Sequence, residues 1–377
     1  MRDFELEQYF SNWEFRARYH LTASDIESMS IAELLALASD EDRDAFESQW
    51  LGYTKTFGHP ELLEEIAGTY ETIASSEVLC FAGAEEGIYT AMRVLLDKDD
   101  HAIVAVPNYQ AAETIPTNIC CVSGLPLDEN DNWSLDIDRV KREIRPRTKL
   151  ISINFPNNPT GAVLESDRYL ALVALCRQHG LYLFSDEVYR LMERDPAIRL
   201  PQAADLYDKA LSLNVMSKAY GLPGLRIGWI ASKDKRILSK MERYKHYLTI
   251  CNAAPSERLA IIALRAKETI LQRNRNLLEH NLKKLDAFFQ DFSDLFDWYR
   301  PAGGCVAFPR YLGNGDTNQF CEDLLEKAGV LLLPPRIFRS ELHDTPSDRF
   351  RIGFGRKNIE AGLAAFRAHL LEFNFTN

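Results

Sequence analysis

Between residues 78 and 215, short apolar runs alternate with longer runs of helical period. Residues 78–81 (VLCF), 102–106 (AIVAV), 150–154 (LISIN), 181–184 (LYLF) and 210–215 read as strands that are apolar on both faces. Residues 84–96 read as a helix with Ile88, Met92 and Leu95 on one face. A second helix is predicted near 167–179, stopped by Gly180. Strands buried on both sides and joined by helices assemble into a mostly parallel sheet covered by helices, an α/β fold.

The pattern changes near residue 255. A long helical region, 256–292, is interrupted around 266–269. Beyond it come short strands at 306–308, 330–333 and 349–354, and helices at 317–327 and 359–373. This is an α+β pattern. At roughly 150 residues per domain, a chain of 377 residues suits two domains. The expected division is a large domain over 46–267 and a small C-terminal domain over 268–377. The N-terminal segment 1–45, with a helix near 31–37, is expected to join the small domain.

Composition excludes several classes. The formal charge of −11 does not suit a protein held to nucleic acid by its overall charge. No apolar run is long enough to span a bilayer, so no membrane partner is expected. The start, MRDFELEQYF, has neither a basic nor an apolar signal region, and the seven cysteines form no CxxC pair. Both features suit a cytoplasmic chain with reduced thiols. No HxH or HExxH pattern occurs, and no metal is expected.

Four clusters follow predicted strands. Phe81-Ala82-Gly83-Ala84-Glu85-Glu86-Gly87 is a strand-to-helix turn whose small residues let backbone N–H groups face an anion. Asn158-Pro159-Thr160-Gly161 follows LISIN and also reads as a plain turn. Asp186 in Ser185-Asp186-Glu187-Val188-Tyr189 follows LYLF and also reads as a helix cap. Lys218 lies in SKAYGLPGLR, after the strand ending at Val215. Ligands of open α/β sheets bind beyond the carboxyl ends of the strands, where these clusters fall. Together they offer an amine, a carboxylate, an amide, a phenol, an arginine and a helix N-terminus. That inventory fits pyridoxal 5′-phosphate (PLP).

With these residues in order, the chain resembles the class I/II aminotransferases of PLP fold type I. The likeness runs from about residue 50 to 355, through Tyr53, Gly83-Ala84-Glu85, Tyr109, Asn158 in NPTG, Asp186 and Tyr189 in DEVY, Lys218 in SKAYGLPGLRIGW, and Arg351 in RFRIGFG. The stretches around PNYQ and YLTICNAAPSE are similar to the capreomycidine-synthase-like branch.

The resemblance implies a role for each residue. Lys218 is the catalytic lysine that holds PLP as an imine. Asp186 faces the pyridinium nitrogen. Asn158 and Tyr189 contact the phenolic oxygen. Tyr109 stacks on the ring. Arg226 and the backbone of Ala84 and Glu85 bind the phosphate. Tyr53 reaches the phosphate of a neighbouring subunit, which implies a homodimer with shared active sites. Arg351, flanked by Arg349 and Arg356, binds the substrate α-carboxylate.

Two positions depart from the family pattern. Val215 stands where a hydroxyl three residues before the lysine contacts phosphate, with Ser217 as the substitute. Glu85 and Glu86 add negative charge to the phosphate turn and are expected to point away from it. Trp13, Arg16, Arg18 and Tyr19 are candidates for contact with the substrate side chain. The resemblance implies transfer of an amino group from an L-amino acid to a 2-oxo acid. A PLP lyase or cyclase is the alternative. A DNA-binding regulator is disfavoured, because no basic recognition helix is evident before Tyr53.

Overall fold

The computed structural model describes residues 1–374. The last three residues of the expected 268–377 domain lie outside the described residues. Seven strands form one sheet: β1 (Val78–Phe81), β2 (His101–Val106), β3 (Cys121–Pro126), β4 (Thr148–Asn154), β5 (Tyr182–Asp186), β6 (Ala210–Val215) and β7 (Gly228–Ala231). Their spatial order is β1-β7-β6-β5-β4-β2-β3. The run from β6 to β3 is parallel. Only β7 opposes its neighbours, running antiparallel to both β1 and β6.

Every residue of β1, β2, β5 and β7 is buried. Alternate side chains serve opposite faces. Ala102, Leu150 and Phe184 pack into one core, while Ile103, Ile151 and Leu183 pack into the other. Burying a large aliphatic side chain contributes roughly 1.5–3 kcal/mol, so these strands are held strongly from both sides. Two strands escaped the apolar pattern. β3 is a half-exposed edge strand containing Gly124 and ending at Pro126, composition tolerated only at an edge. β7 begins at Gly228, where a side chain would strike the backbone of Gly83 and Ala84.

The helices Ala84–Leu95 and Ser166–His179 follow β1 and β4 as the periodicity requires. The long helical region is two helices, Ala254–Arg265 and Lys267–Asp291, parted at Ala266. The expected strand at 349–354 is ordered as a strand only over Ile352–Gly353, paired antiparallel with Val306–Ala307. Near the N-terminus, Tyr19–His20 pairs in parallel with Val330–Leu331. Residues 19–25 thus form a strap against the C-terminal part of the chain. The approach is close: a Cβ on Gly353 or Gly355 would collide with the carbonyl oxygens of Ala23 and Asp25.

Candidate active site

The carboxyl ends of β4, β5 and β6 open into a cleft of about 580 Å³. The strap and the N-terminal helix Glu5–Trp13 close its other side. Lys218 stands three residues beyond β6, on a loop that folds back on itself. Met216 N donates to the Ile227 carbonyl at 2.9 Å, and Leu222 N donates to the Met216 carbonyl at 2.9 Å. Lys218 Nζ donates to Ser24 Oγ at 2.9 Å and lies 5.7 Å from the centre of the Tyr189 ring. Burial pushes its amine pKa down, because the charged form loses water.

Asp186 ends β5 and is buried. Its Oδ1 accepts from Val188 N at 3.2 Å. Burial pushes its carboxyl up to about 6, outweighing that hydrogen bond and the attraction of Lys218. A buried carboxylate with no cation in contact invites a positively charged group.

The NPTG segment is both a turn and a site. Asn157 builds the turn by accepting from Thr160 Oγ1 at 2.8 Å. Asn158 faces the cleft, with its N–H on Asn154 Oδ1 at 2.8 Å and its Oδ1 accepting from Arg351 Nη1 at 2.9 Å. Tyr189 is fully buried and donates its hydroxyl to the Ser24 carbonyl at 2.9 Å.

Three neighbouring arginines separate by partner. Arg349 pairs with Glu129 at 3.2 Å, and Arg356 pairs with Asp25 at 2.9 Å. Arg351 is fully buried and pairs with no carboxylate among the described residues. Its Nη2 donates to the Thr22 carbonyl at 2.8 Å, and its Nε has no acceptor among the described residues. A buried guanidinium with an open donor is suited to an incoming carboxylate.

Ala84 begins the helix Ala84–Leu95, whose N-terminus has no side-chain cap. Its first N–H groups are left open to an anion. The Arg226 guanidinium crosses directly over Gly83, where a Cβ would collide with it. Among the described residues its nitrogens donate to carbonyls, those of Pro223 and Ala82. Ser217 and Val215 both line the cleft nearby.

The two glutamates of this turn behave differently. Glu86 turns away and accepts from Ala82 N at 2.6 Å and Thr249 Oγ1 at 2.7 Å. Glu85 does not point away, contrary to the sequence-based expectation. It enters the cleft, where its Oε2 has no hydrogen-bond partner among the described residues. Burial, reinforced by Glu7, pushes its carboxyl up to about 7. Successive helical residues are about 100° apart, so two adjacent side chains cannot both leave by the same side.

Tyr109 lines the cleft, with its hydroxyl donating to Glu7 Oε1 at 3.4 Å and its ring 5.2 Å from that of Phe4. Tyr53 is not brought to the cleft of its own chain. It is 84% exposed, and its chain neighbours Trp50 and Leu51 are exposed as well. Trp13, Arg16, Arg18 and Tyr19 do not line the cleft either. Glu7, Phe10 and Glu14 do, and their i, i+3, i+7 spacing puts them on one helical face. That spacing was readable. Thr22, Ser24 and Asp25 carry no comparable motif.

The residues present fit PLP on three counts. An amine of lowered pKa stands in the cleft, a buried carboxylate lacks a cation, and a guanidinium without a carboxylate partner sits beside an uncapped helix N-terminus.

A family model described as aminotransferase class I and II matches residues 27–366. The chain is 28% identical to capreomycidine synthase of Streptomyces vinaceus over 375 residues, 97% of this chain and 93% of that protein. It is also 28% identical to an aspartate aminotransferase of Pyrococcus horikoshii over 317 residues, 78% of this chain and 77% of that one. The crystal structure of a PLP-dependent aminotransferase from Streptococcus suis superposes with a TM-score of 0.92 at 30% identity, covering 99% of this chain and 98% of that one. The chain therefore belongs to the class I and II aminotransferases, with PLP fold type I and PLP as its cofactor.

Proposed function

We propose that the protein is an aminotransferase that moves the amino group of an L-amino acid to a 2-oxo acid. The observation that carries this reading is the placing of Lys218 and Asp186 on one cleft, with Arg351 buried behind its wall and bonded to the cleft residue Asn158, and none of the three in an ion pair among the described residues. Bound PLP supplies an aldehyde that condenses with amines and a ring that draws electrons from the bonds at the substrate Cα. Lys218 Nζ would hold the aldehyde carbon and, once freed by the substrate amine, would take the proton from the substrate Cα and deliver it to that former aldehyde carbon. Burial lowers the pKa of this amine and so favours the neutral form that can take up a proton. Asp186 retains a proton on the ring nitrogen. Asn158 Nδ2 would hydrogen-bond the phenolic oxygen, and the Tyr189 hydroxyl would do so by turning from the Ser24 carbonyl that it meets in the cofactor-free protein.

Arg226, Ser217 and the N–H groups of Ala84 and Glu85 hold the phosphate. Ser217 stands in for the hydroxyl absent at Val215. Tyr109 covers the ring face. Arg351 fixes the substrate α-carboxylate and so orients the Cα–H bond. The exposed Tyr53 serves the phosphate of the second subunit, which makes the working form a homodimer. The segment 1–45 joins a small domain over 268–377, beside a large PLP-binding domain over 46–267.

The test is visible absorbance of the purified protein across a panel of amino acids. A yellow protein that bleaches with one amino acid and recovers with a 2-oxo acid supports amino transfer. The second reading is a PLP cyclase or lyase, favoured by the match to capreomycidine synthase along 97% of the chain. Continuous turnover of an amino acid without any 2-oxo acid would replace the first reading by the second.

A further inference from the structure

We infer that Ser24 is a positioning residue for Lys218: its hydroxyl holds the free amine and sets how readily that amine carries a proton. The inference rests on Lys218 being the lysine that holds PLP. Ser24 Oγ, at 2.9 Å, is the hydrogen-bond partner of Lys218 Nζ among the described residues. The partner comes from far away, 194 residues earlier in the chain.

The backbone that carries this hydroxyl is fixed from several sides. The Ser24 carbonyl accepts from Tyr189 Oη at 2.9 Å. On one flank, the Thr22 carbonyl accepts from Arg351 Nη2 at 2.8 Å. On the other, Asp25 pairs with Arg356 at 2.9 Å. Gly353 N donates to the Leu21 carbonyl at 2.8 Å, and Glu27 N donates to the Gly355 carbonyl at 2.8 Å. With the close glycine contacts to Ala23 and Asp25, these bonds hold the Ser24 backbone in place beside Lys218.

An amine with one N–H on Ser24 has its remaining hydrogens and lone pair confined to the cleft side. Ser24 thus aims the nitrogen as well as holding it. The charge of Lys218 is also felt by Asp25 on the strap, Cys305 and Arg351 in the C-terminal part, and Asp186 and the Tyr189 ring at the β5 edge. Asp25 and Asp186 favour the ammonium, and Arg351 opposes it. Burial is the largest influence and favours the neutral amine. A hydroxyl acceptor bonds more strongly to an ammonium than to an amine, so Ser24 restrains the effect of burial. Removing it lowers the amine pKa by about one pH unit, a tenfold change in the protonation equilibrium.

The test strips PLP from the purified holoenzyme and follows its recapture by absorbance from about pH 6 to 10. Only the neutral amine attacks the aldehyde, so the recapture rate rises through the pKa of the amine. The ionisations of PLP itself are common to all variants and cancel in the comparison. Ser24→Ala is expected to move the midpoint down by about one pH unit, and Ser24→Thr to restore it. An unmoved midpoint in Ser24→Ala, or a Thr variant that shifts equally, overturns the inference. If Ser24→Ala does not fold, as judged by circular dichroism, Ser24→Cys takes its place and must show the downward shift, because a thiol is a weak acceptor. A wild type that recaptures PLP on a lysine other than Lys218 removes the Lys218 assignment, and this inference with it.

Discussion

The cleft has two walls of different construction. One is the carboxyl edge of the sheet, where Asn154, Asp186 and Val215 end strands that are buried on both faces. The other is the strap at residues 19–25, held by a two-residue strand pair, a few backbone hydrogen bonds and one ion pair. The sheet wall places groups by deep packing, and local shifts there cost much. The strap places Thr22 and Ser24 against Arg351 and Lys218 with a shorter apolar anchorage, that of Leu21, Ala23 and the adjoining Ile26. Rigid placement suits the groups that hold the cofactor, and lighter placement suits a wall that must admit a substrate.

The contrast can be broken first at the sheet wall. Lys218→Ala should lower turnover by about a thousandfold or more and abolish the visible imine absorbance, with circular dichroism unchanged. Residual turnover near wild type would move the chemistry elsewhere. Next comes Arg351, which bridges both walls through Asn158 and Thr22. Arg351→Lys keeps the charge but loses the planar fork. An increase of about a hundredfold in the KM of the amino acid is expected, and a much smaller change in kcat. A fall in kcat alone would contradict its role in carboxylate binding.

Glu85 gives a smaller, pH-dependent effect. Its carboxyl, pushed up to about 7, holds a proton more tightly in the folded than in the unfolded chain. Its contribution therefore makes the cofactor-free protein lose stability as pH rises from about 4 to 7. Glu85→Gln should remove that share and stabilise the protein by about 1 kcal/mol at pH 8, with little gain at pH 4. Urea unfolding at the two pH values checks it, and an unchanged slope would count against the buried carboxyl. Smallest is Asp25→Asn on the strap. The Asp25–Arg356 pair is partly exposed, so its loss should cost only about 0.5–1 kcal/mol. A cost above about 3 kcal/mol would show the strap to be as firmly built as the sheet.

The same contrast governs how much could be read from the residues alone. β1 and β6 match their predicted bounds at both ends, because an apolar run and a buried strand coincide there. Lys218, Asp186 and Asn158 were legible because each follows such a strand within a few residues. β3 and β7 were not, since Gly124, Pro126 and Gly228 interrupt the apolar signal. Ser24 and Thr22 were invisible for another reason. Their partners lie 194 and 329 residues away, and no local pattern encodes such a contact. Glu85 was misread because its neighbour Glu86 already takes the outward direction.

The central claim is that one amine, Lys218 Nζ, holds PLP in this cleft. Borohydride reduction of the holoenzyme, followed by mass mapping of its peptides, tests it directly. A pyridoxyl-phosphate adduct on the peptide containing Lys218, and on no other lysine peptide, is the expected result. An adduct on a different lysine, or a yellow protein that yields none, would contradict the claim.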